Sequence, residues 1–221
     1  RSYFSLPDHS FLFLFFFDFR SFIDRKNPFG VVEAFVKLCE KRPFTDVRLI
    51  IKIHGKDASE KSKKEYLKLK EIIKINNLNK NIIFLEKYYS ENEIKNLIRC
   101  CDSFISLHRS EGFGLGLAEA MYLEKPVIAT NYSGNIDFMT HENSLLVDYD
   151  LIPVYEGQYP EFEGQYWAEP DIDQAVEHMQ RLIDDPHEGI MIGKKASQDV
   201  RQNLSFLSVG MKAKERILKI M

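Results

Sequence analysis

The chain has 221 residues, enough to bury the core of one large α/β domain. Its 30 lysines and arginines nearly balance 33 aspartates and glutamates, for a formal charge of −3 at pH 7, and without a basic surplus there is no footprint for nucleic acid. Three cysteines (Cys39, Cys100, Cys101) lack metal-ligand spacing and cannot form a disulfide framework, so they read as reduced, buried thiols of a cytosolic protein.

The first element is the run Phe11-Leu12-Phe13-Leu14-Phe15-Phe16-Phe17. A membrane-spanning helix needs about 20 apolar residues, and a signal peptide needs a basic start and a small-residue cleavage site. The run has none of these, so it reads as a strand buried on both faces. Further strands are expected near 47–53, 82–85, 102–107, 126–129 and 145–147, with helices near 28–41, 62–76, 91–100, 115–123 and 133–140 between and after them. Three more helices are expected near 171–184, 187–202 and 205–220. Strands alternating with amphipathic helices imply a doubly wound, Rossmann-like parallel sheet covered on both faces. In such sheets the ligand lies beyond the carboxyl ends of the strands, which gathers the loops 18–27, 54–59, 86–90, 108–114 and 130–134 at one edge.

Residues 1–221 read as a single domain, with a core over about 10–150 and an aromatic-rich segment and C-terminal helices over 151–221. The lysine-rich stretch 56–64 reads as solvated loop and helix start. Between Tyr149 and Pro170 stand Tyr155, Tyr159, Phe162, Tyr166 and Trp167, the only tryptophan. These rings invite a sugar-stacking role, but the expectation is that they pack over one edge of the sheet.

The chemistry concentrates in His108-Arg109-Ser110-Glu111-Gly112-Phe113-Gly114-Leu115-Gly116-Leu117-Ala118-Glu119-Ala120-Met121, followed by Pro126-Val127-Ile128-Ala129-Thr130-Asn131-Tyr132-Ser133-Gly134. Glycines let the backbone turn sharply and approach a ligand, and Leu117, Ala118, Ala120 and Met121 favour the helix that follows. Unpaired N–H groups at a helix start attract an anion. Carboxylates beside an anion site are electrostatically awkward unless they face neutral hydroxyls, so Glu111 and Glu119 next to that helix point to a nucleotide-sugar pocket. His108 reads as a hydrogen-bonded structural residue, and Ser133 as a cap of the next helix as readily as a border of the phosphates.

This string resembles the Glu-x7-Glu signature of the retaining glycosyltransferases of group 1 (family 4), with Glu111 and Glu119 at the two glutamate positions. The resemblance runs from the Asp-Phe-Arg-Ser stretch near residue 20 to the helices past 171. It covers only the C-terminal, donor-binding half of the two-Rossmann-domain GT-B fold, so an N-terminal acceptor domain is expected before Arg1, and the chain alone is expected to be inactive. It implies transfer of a sugar from a UDP- or GDP-linked donor to a glycan or lipid-linked acceptor, with retention, no metal and no cofactor. Lys26 would meet the donor pyrophosphate, with Arg25 or Arg20 beside it, since Ser21 stands where the family has arginine. Glu119 would accept from the ribose hydroxyls and Glu111 would face the donor sugar, with catalytic duty shared between Glu111 and Lys26. Gly112, Phe113, Gly114 and Leu115 would hold sugar or phosphate oxygens, Ser133 and Gly134 would border the phosphates, and Tyr88, in Glu86-Lys87-Tyr88-Tyr89, would border the base.

The resemblance also implies a cytoplasmic polysaccharide-assembly enzyme, with peripheral association at the inner membrane face left open for the full-length protein. A non-catalytic nucleotide- or sugar-binding module, a GT-B epimerase and a phosphorylase with lysine-bound pyridoxal phosphate remain as alternatives. The apolar residues Phe206, Leu207, Val209, Met211, Ile217 and Leu218 of the last helix would be partly exposed where that helix crosses back to the missing domain.

Overall fold

Six apolar strands dictate the frame: β1 (Phe11–Asp18), β2 (Val47–His54), β3 (Ile82–Leu85), β4 (Ser103–Ser106), β5 (Val127–Thr130) and β6 (Leu145–Val147). In the computed structural model, which describes residues 1–220, they pair in the order β3-β2-β1-β4-β5-β6, every pair parallel. This is the doubly wound, Rossmann-like sheet expected from the alternation. Alternate residues of β1 feed opposite faces. Phe13, Phe15 and Phe17 join Val31, Phe35 and Leu38 on one side, while Leu12 and Leu14 join Leu97, Leu117 and Met121 on the other.

The helices α1 (Ile23–Lys26), α2 (Pro28–Lys41), α3 (Glu60–Ile75), α4 (Glu91–Cys100), α5 (Leu115–Tyr122), α6 (Ile172–Asp184), α7 (Pro186–Asn203) and α8 (Phe206–Ile220) complete the layers. Side chains of Asn27, Ser59, Ser90, Asp171 and Asp185 cap α2, α3, α4, α6 and α7, satisfying N–H groups that a helix cannot satisfy itself. No side chain caps α5. The order of strands reverses between β1 and β4, and the crevice that such a reversal opens lies beyond their carboxyl ends, in front of α5.

Two expectations are corrected. Residues 133–140 form only a short 3-10 turn over Gly134–Asp137. Phe138, at φ −137°, leaves the helical range after a single turn, so no helical ladder propagates; the Gly134 N–H goes to the Glu111 carbonyl at 3.0 Å and the Asn135 side-chain amide to the Thr130 carbonyl at 3.0 Å. Ser133 accordingly caps nothing. The aromatic segment forms its own antiparallel hairpin, β7 (Tyr149–Pro153) with β8 (Tyr166–Pro170), and only some of its aromatic residues pack as expected. Trp167 and Val154 turn inward, whereas Tyr149, Tyr155, Tyr159 and Tyr166 stay exposed.

The thiols are free. Burial pushes Cys39 up to about 11 and Cys101 up to about 12, so both stay protonated and unreactive at neutral pH. No residue of α8 is buried: Phe206, Leu207, Val209, Met211, Ile217 and Leu218 all lie at the surface, Phe206 completely so. Among the described residues no helix is long and apolar enough to cross a membrane.

Candidate active site

Two loops beyond β4 and β5 are stitched together by backbone. The Ser133 hydroxyl accepts from the Glu111 N–H at 2.7 Å, and Gly134 donates to the Glu111 carbonyl. A Cβ on Gly134 would lie 2.0 Å from the Gly112 carbonyl oxygen; only glycine permits this approach. Gly112 itself needs no such freedom, for a Cβ there would meet nothing within 4 Å. Gly114, at φ +88°, turns the chain into α5 and leaves the first-turn N–H groups of that helix facing the crevice.

His108 lies beneath both loops, wholly buried. Its Nε2 faces two acceptors, the Asn135 side-chain oxygen at 3.0 Å and the Tyr132 carbonyl at 3.3 Å, while Nδ1 lies 3.1 Å from the Ser106 hydroxyl. The proton therefore belongs on Nε2, and burial pushes the imidazole pKa down, outweighing the Glu111 carboxylate. A neutral histidine braces the two loops.

Glu111 is held from the other side by cations. The Lys26 ammonium pairs with its Oε1, and Arg25 approaches Oε2 at 3.3 Å while donating to the Ser110 carbonyl at 2.9 Å. Arg25 also donates to the Ser21 hydroxyl at 2.8 Å, so the residue at the divergent family position holds the arginine instead of replacing it. Arg20 pairs with Asp18 at 2.6 Å, two residues back, and does not line the cavity in front of α5. Burial alone would push the Glu111 carboxyl up, but the Lys26 ammonium, with the Arg25 guanidinium behind it, holds it below the usual carboxylate range. Asn27, at φ 49°, positions this cation loop by donating to the Leu107 carbonyl at 2.9 Å.

Lys26, Glu111, Glu119 and the first turn of α5 line one cavity of about 440 Å³ with Phe16 and Phe104. Glu119 sits one turn into α5, and burial pushes its carboxyl pKa up against the opposing pull of Lys95. The two carboxylates are thus tuned in opposite directions. Phe113 and Tyr88 fall outside this lining. The Phe113 ring lies 5.1 Å from that of Phe138, and Tyr88 is 77% exposed with its ring edge-on to His54 at 6.2 Å. Glu86 is occupied by Lys56 and Tyr66. Among the described residues no cluster of His, Cys, Asp and Glu is placed to hold a metal ion.

Lys52 and His54, which sequence reasoning passed over, line the same cavity. A signal existed: Lys52 interrupts the otherwise apolar run Leu49-Ile50-Ile51-Lys52-Ile53 of a strand buried on both faces. Its side chain is buried, and among the described residues it makes no salt bridge, only a hydrogen bond to the Ile53 carbonyl at 3.1 Å. Burial pushes its pKa down despite Asp18 nearby. A buried ammonium without a paired carboxylate is costly. Lys52→Met is expected to raise the melting temperature by about 2–4 °C, the shift that about 1 kcal/mol produces in a chain of this size. A lower melting temperature on calorimetric scanning would mean the ammonium is stabilising instead.

Arg109 was also missed. Its guanidinium grips Glu169 of β8 at 2.6 and 3.0 Å and the Asp24 carbonyl at 3.0 Å. It ties the hairpin, the cation loop and the Glu111 loop together.

Comparison with known proteins bears on the family and the fold. The family model described as glycosyl transferases group 1 matches residues 14–199. The human protein named alpha-1,3/1,6-mannosyltransferase ALG2 is 28% identical over 120 residues, 53% of this chain but 29% of that protein, so the chain spans well under a third of this curated relative. The C-terminal domain of a group 1 glycosyl transferase (LpcC) from Francisella tularensis superposes with a TM-score of 0.69 at 22% identity, covering 91% of this chain and 89% of that one. HepE from Anabaena, solved with UDP and glucose, gives 0.70 at 17% identity over 95% of this chain and 48% of its own. A glycosyltransferase from Rickettsia africae gives 0.73 at 18% identity, covering 99% and 50%. With most of its length matched by one family model and its fold that of such a C-terminal domain, the chain belongs to the group 1 glycosyl transferases.

Proposed function

We propose that the cavity in front of α5 binds the nucleoside diphosphate of a UDP- or GDP-linked sugar, and that the enzyme moves this sugar to a glycan or lipid-linked acceptor with retention, without metal or cofactor. One observation carries the reading: Lys26, the uncapped N-terminus of α5, Glu111 and Glu119 line a single cavity at the carboxyl ends of the strands. The bond from the anomeric carbon to the diphosphate oxygen breaks as the acceptor oxygen bonds to the same face. The acceptor proton passes to the departing phosphate oxygen. Charge therefore develops on the diphosphate, where Lys26 and the α5 N–H groups are pre-organised to meet it. Glu111, fixed by Lys26 and Arg25, orients the sugar, and Glu119 accepts from the ribose diol. The UDP and glucose in the HepE structure and the mannosyltransferase name of the human relative support a hexosyl donor. A second Rossmann-like domain carries most of the acceptor contacts in this reading, and the chain alone binds donor without transferring sugar. Work at the inner membrane face by the whole enzyme belongs to the same proposal.

The test is calorimetric titration with UDP and GDP against Glu119→Gln. Hydrogen bonds to a charged acceptor contribute about 1.5–3 kcal/mol, so the variant should bind about 10- to 150-fold more weakly. The competent form of Glu119 is the carboxylate. Because its pKa is raised, affinity should fall as the pH drops through that raised value, while the lower-pKa Glu111 is still ionised. Glu119→Gln should lack this limb. Identical pH profiles for the two proteins would remove Glu119 from the ribose role, and no binding of either diphosphate would sink the reading.

A further inference from the structure

A second cavity, of about 280 Å³, lies between the β7–β8 hairpin and the Glu111 loop. We propose that it is a subsite for one neutral hexose ring of the acceptor glycan. This assignment rests on the transferase reading above and adds where the acceptor sits on this chain.

The walls have the chemistry of a sugar site. Tyr159, Tyr166 and Trp167 supply aromatic faces, and Arg25, Ser110 and Glu161 supply polar groups around them. A hexose presents an apolar C–H face and a rim of hydroxyls, and a lining that sets aromatic rings beside polar groups offers a partner to each. Tyr159 and Tyr166 are 41% and 59% exposed, so they are not serving as core; the Tyr159 ring is only propped by Phe22 at 4.7 Å. Trp167 is buried, yet its indole N–H has no hydrogen-bond partner in the protein. Such a group normally finds one.

The cavity is also pre-formed and correctly placed. Arg109 clamps β8 through Glu169, and its backbone carbonyl accepts from Ala168 at 3.0 Å while its N–H donates to the Arg25 carbonyl at 2.8 Å. Little ordering remains to oppose binding. Arg25 links this cavity to the first, since its guanidinium lines this one and reaches Glu111, which lines the other, at 3.3 Å. A ring seated against Arg25 therefore lies beside the group that faces the donor sugar. The lining carries one cation, Arg25, and one anion, Glu161, so it favours a neutral ligand over a phosphate.

Trp167 is the only tryptophan of the chain, so its emission reports occupancy directly. The unaltered chain and a Tyr159→Ala/Tyr166→Ala variant are titrated with maltotriose, mannotriose and cellotriose, and binding of UDP and GDP to both is followed by calorimetry. The expected result is a saturable change in emission with at least one trisaccharide, weakened about tenfold or more in the variant, with diphosphate binding unchanged. No saturable change with any of the three, or equal affinity in the variant, overturns the subsite and leaves the donor reading standing if a diphosphate still binds. Trisaccharide binding without binding of either diphosphate overturns the acceptor role together with the donor reading.

Discussion

Lys26→Ala is expected to weaken UDP or GDP binding by about 10- to 150-fold, the loss of one charge-assisted hydrogen bond of about 1.5–3 kcal/mol. The ammonium has two duties. It is the cation nearest Glu111, and in the proposed donor complex it meets the diphosphate as well. Its removal also leaves Glu111 mostly buried with only Arg25 at 3.3 Å. Burial already pushes that carboxyl up, and Lys26 is the largest opposing influence. The folded-state pKa of Glu111 is therefore depressed in the unaltered protein, and it contributes stability above its ordinary value near 4.5 that is lost as pH falls through the depressed one. In Lys26→Ala the depression shrinks. The variant should thus be less stable than its parent above about pH 4.5, with the gap closing in acid. Calorimetric affinity and thermal melting across pH read both effects; an unchanged affinity would remove Lys26 from the diphosphate, and a pH-independent gap would remove it from Glu111.

Gly134→Ala is expected to cost about 3 kcal/mol of stability, or about 6–12 °C in melting temperature, and to abolish measurable diphosphate binding. The added methyl would sit 2.0 Å from the oxygen and 2.5 Å from the carbon of the Gly112 carbonyl. Both are backbone atoms, so no rotamer change relieves the clash. One loop must move, and the Gly134 bond to the Glu111 carbonyl and the Ser133 bond to the Glu111 N–H move with it, taking Glu111 off its cations. Gly112→Ala provides the contrast, because a methyl there meets nothing and should leave melting and binding within error. Equal melting of the Gly134 variant and its parent would show that the close approach does not exist in solution.

Three glycines illustrate why part of the site was readable and part was not. Gly112, Gly114 and Gly134 look alike in the string, yet they differ in role: Gly112 lies in open space, Gly114 carries the positive φ, and Gly134 makes the close approach. Ser133 follows the same logic. A serine before a helix is ordinarily a cap, but here its hydroxyl is claimed by a residue 22 positions away. Arg20 and Arg25 are five residues apart on one loop; Asp18, close in sequence, captures the first, and Glu111, distant in sequence, captures the second. Lys52 left a trace in the apolar pattern of β2, but that trace marks an oddity without showing which cavity it enters.

The amino-acid sequence by itself determined the six strands of the parallel sheet, the long helices and the family, because these rest on periodicity, caps and a contiguous string of residues, all local properties. The Pro28 start of α2 and the six strand positions fall where the pattern places them to within a residue or so. Tertiary structure alone decided which arginine holds Glu111, that residues 133–140 do not form a helix, and that the aromatic segment folds as a hairpin with several exposed rings. Each of these turns on which of several near-equivalent partners a polar or aromatic group meets across the chain. Pattern sets how many residues a strand or helix has, whereas the choice among distant partners is made only when the whole backbone closes and each buried donor and acceptor must be satisfied at once.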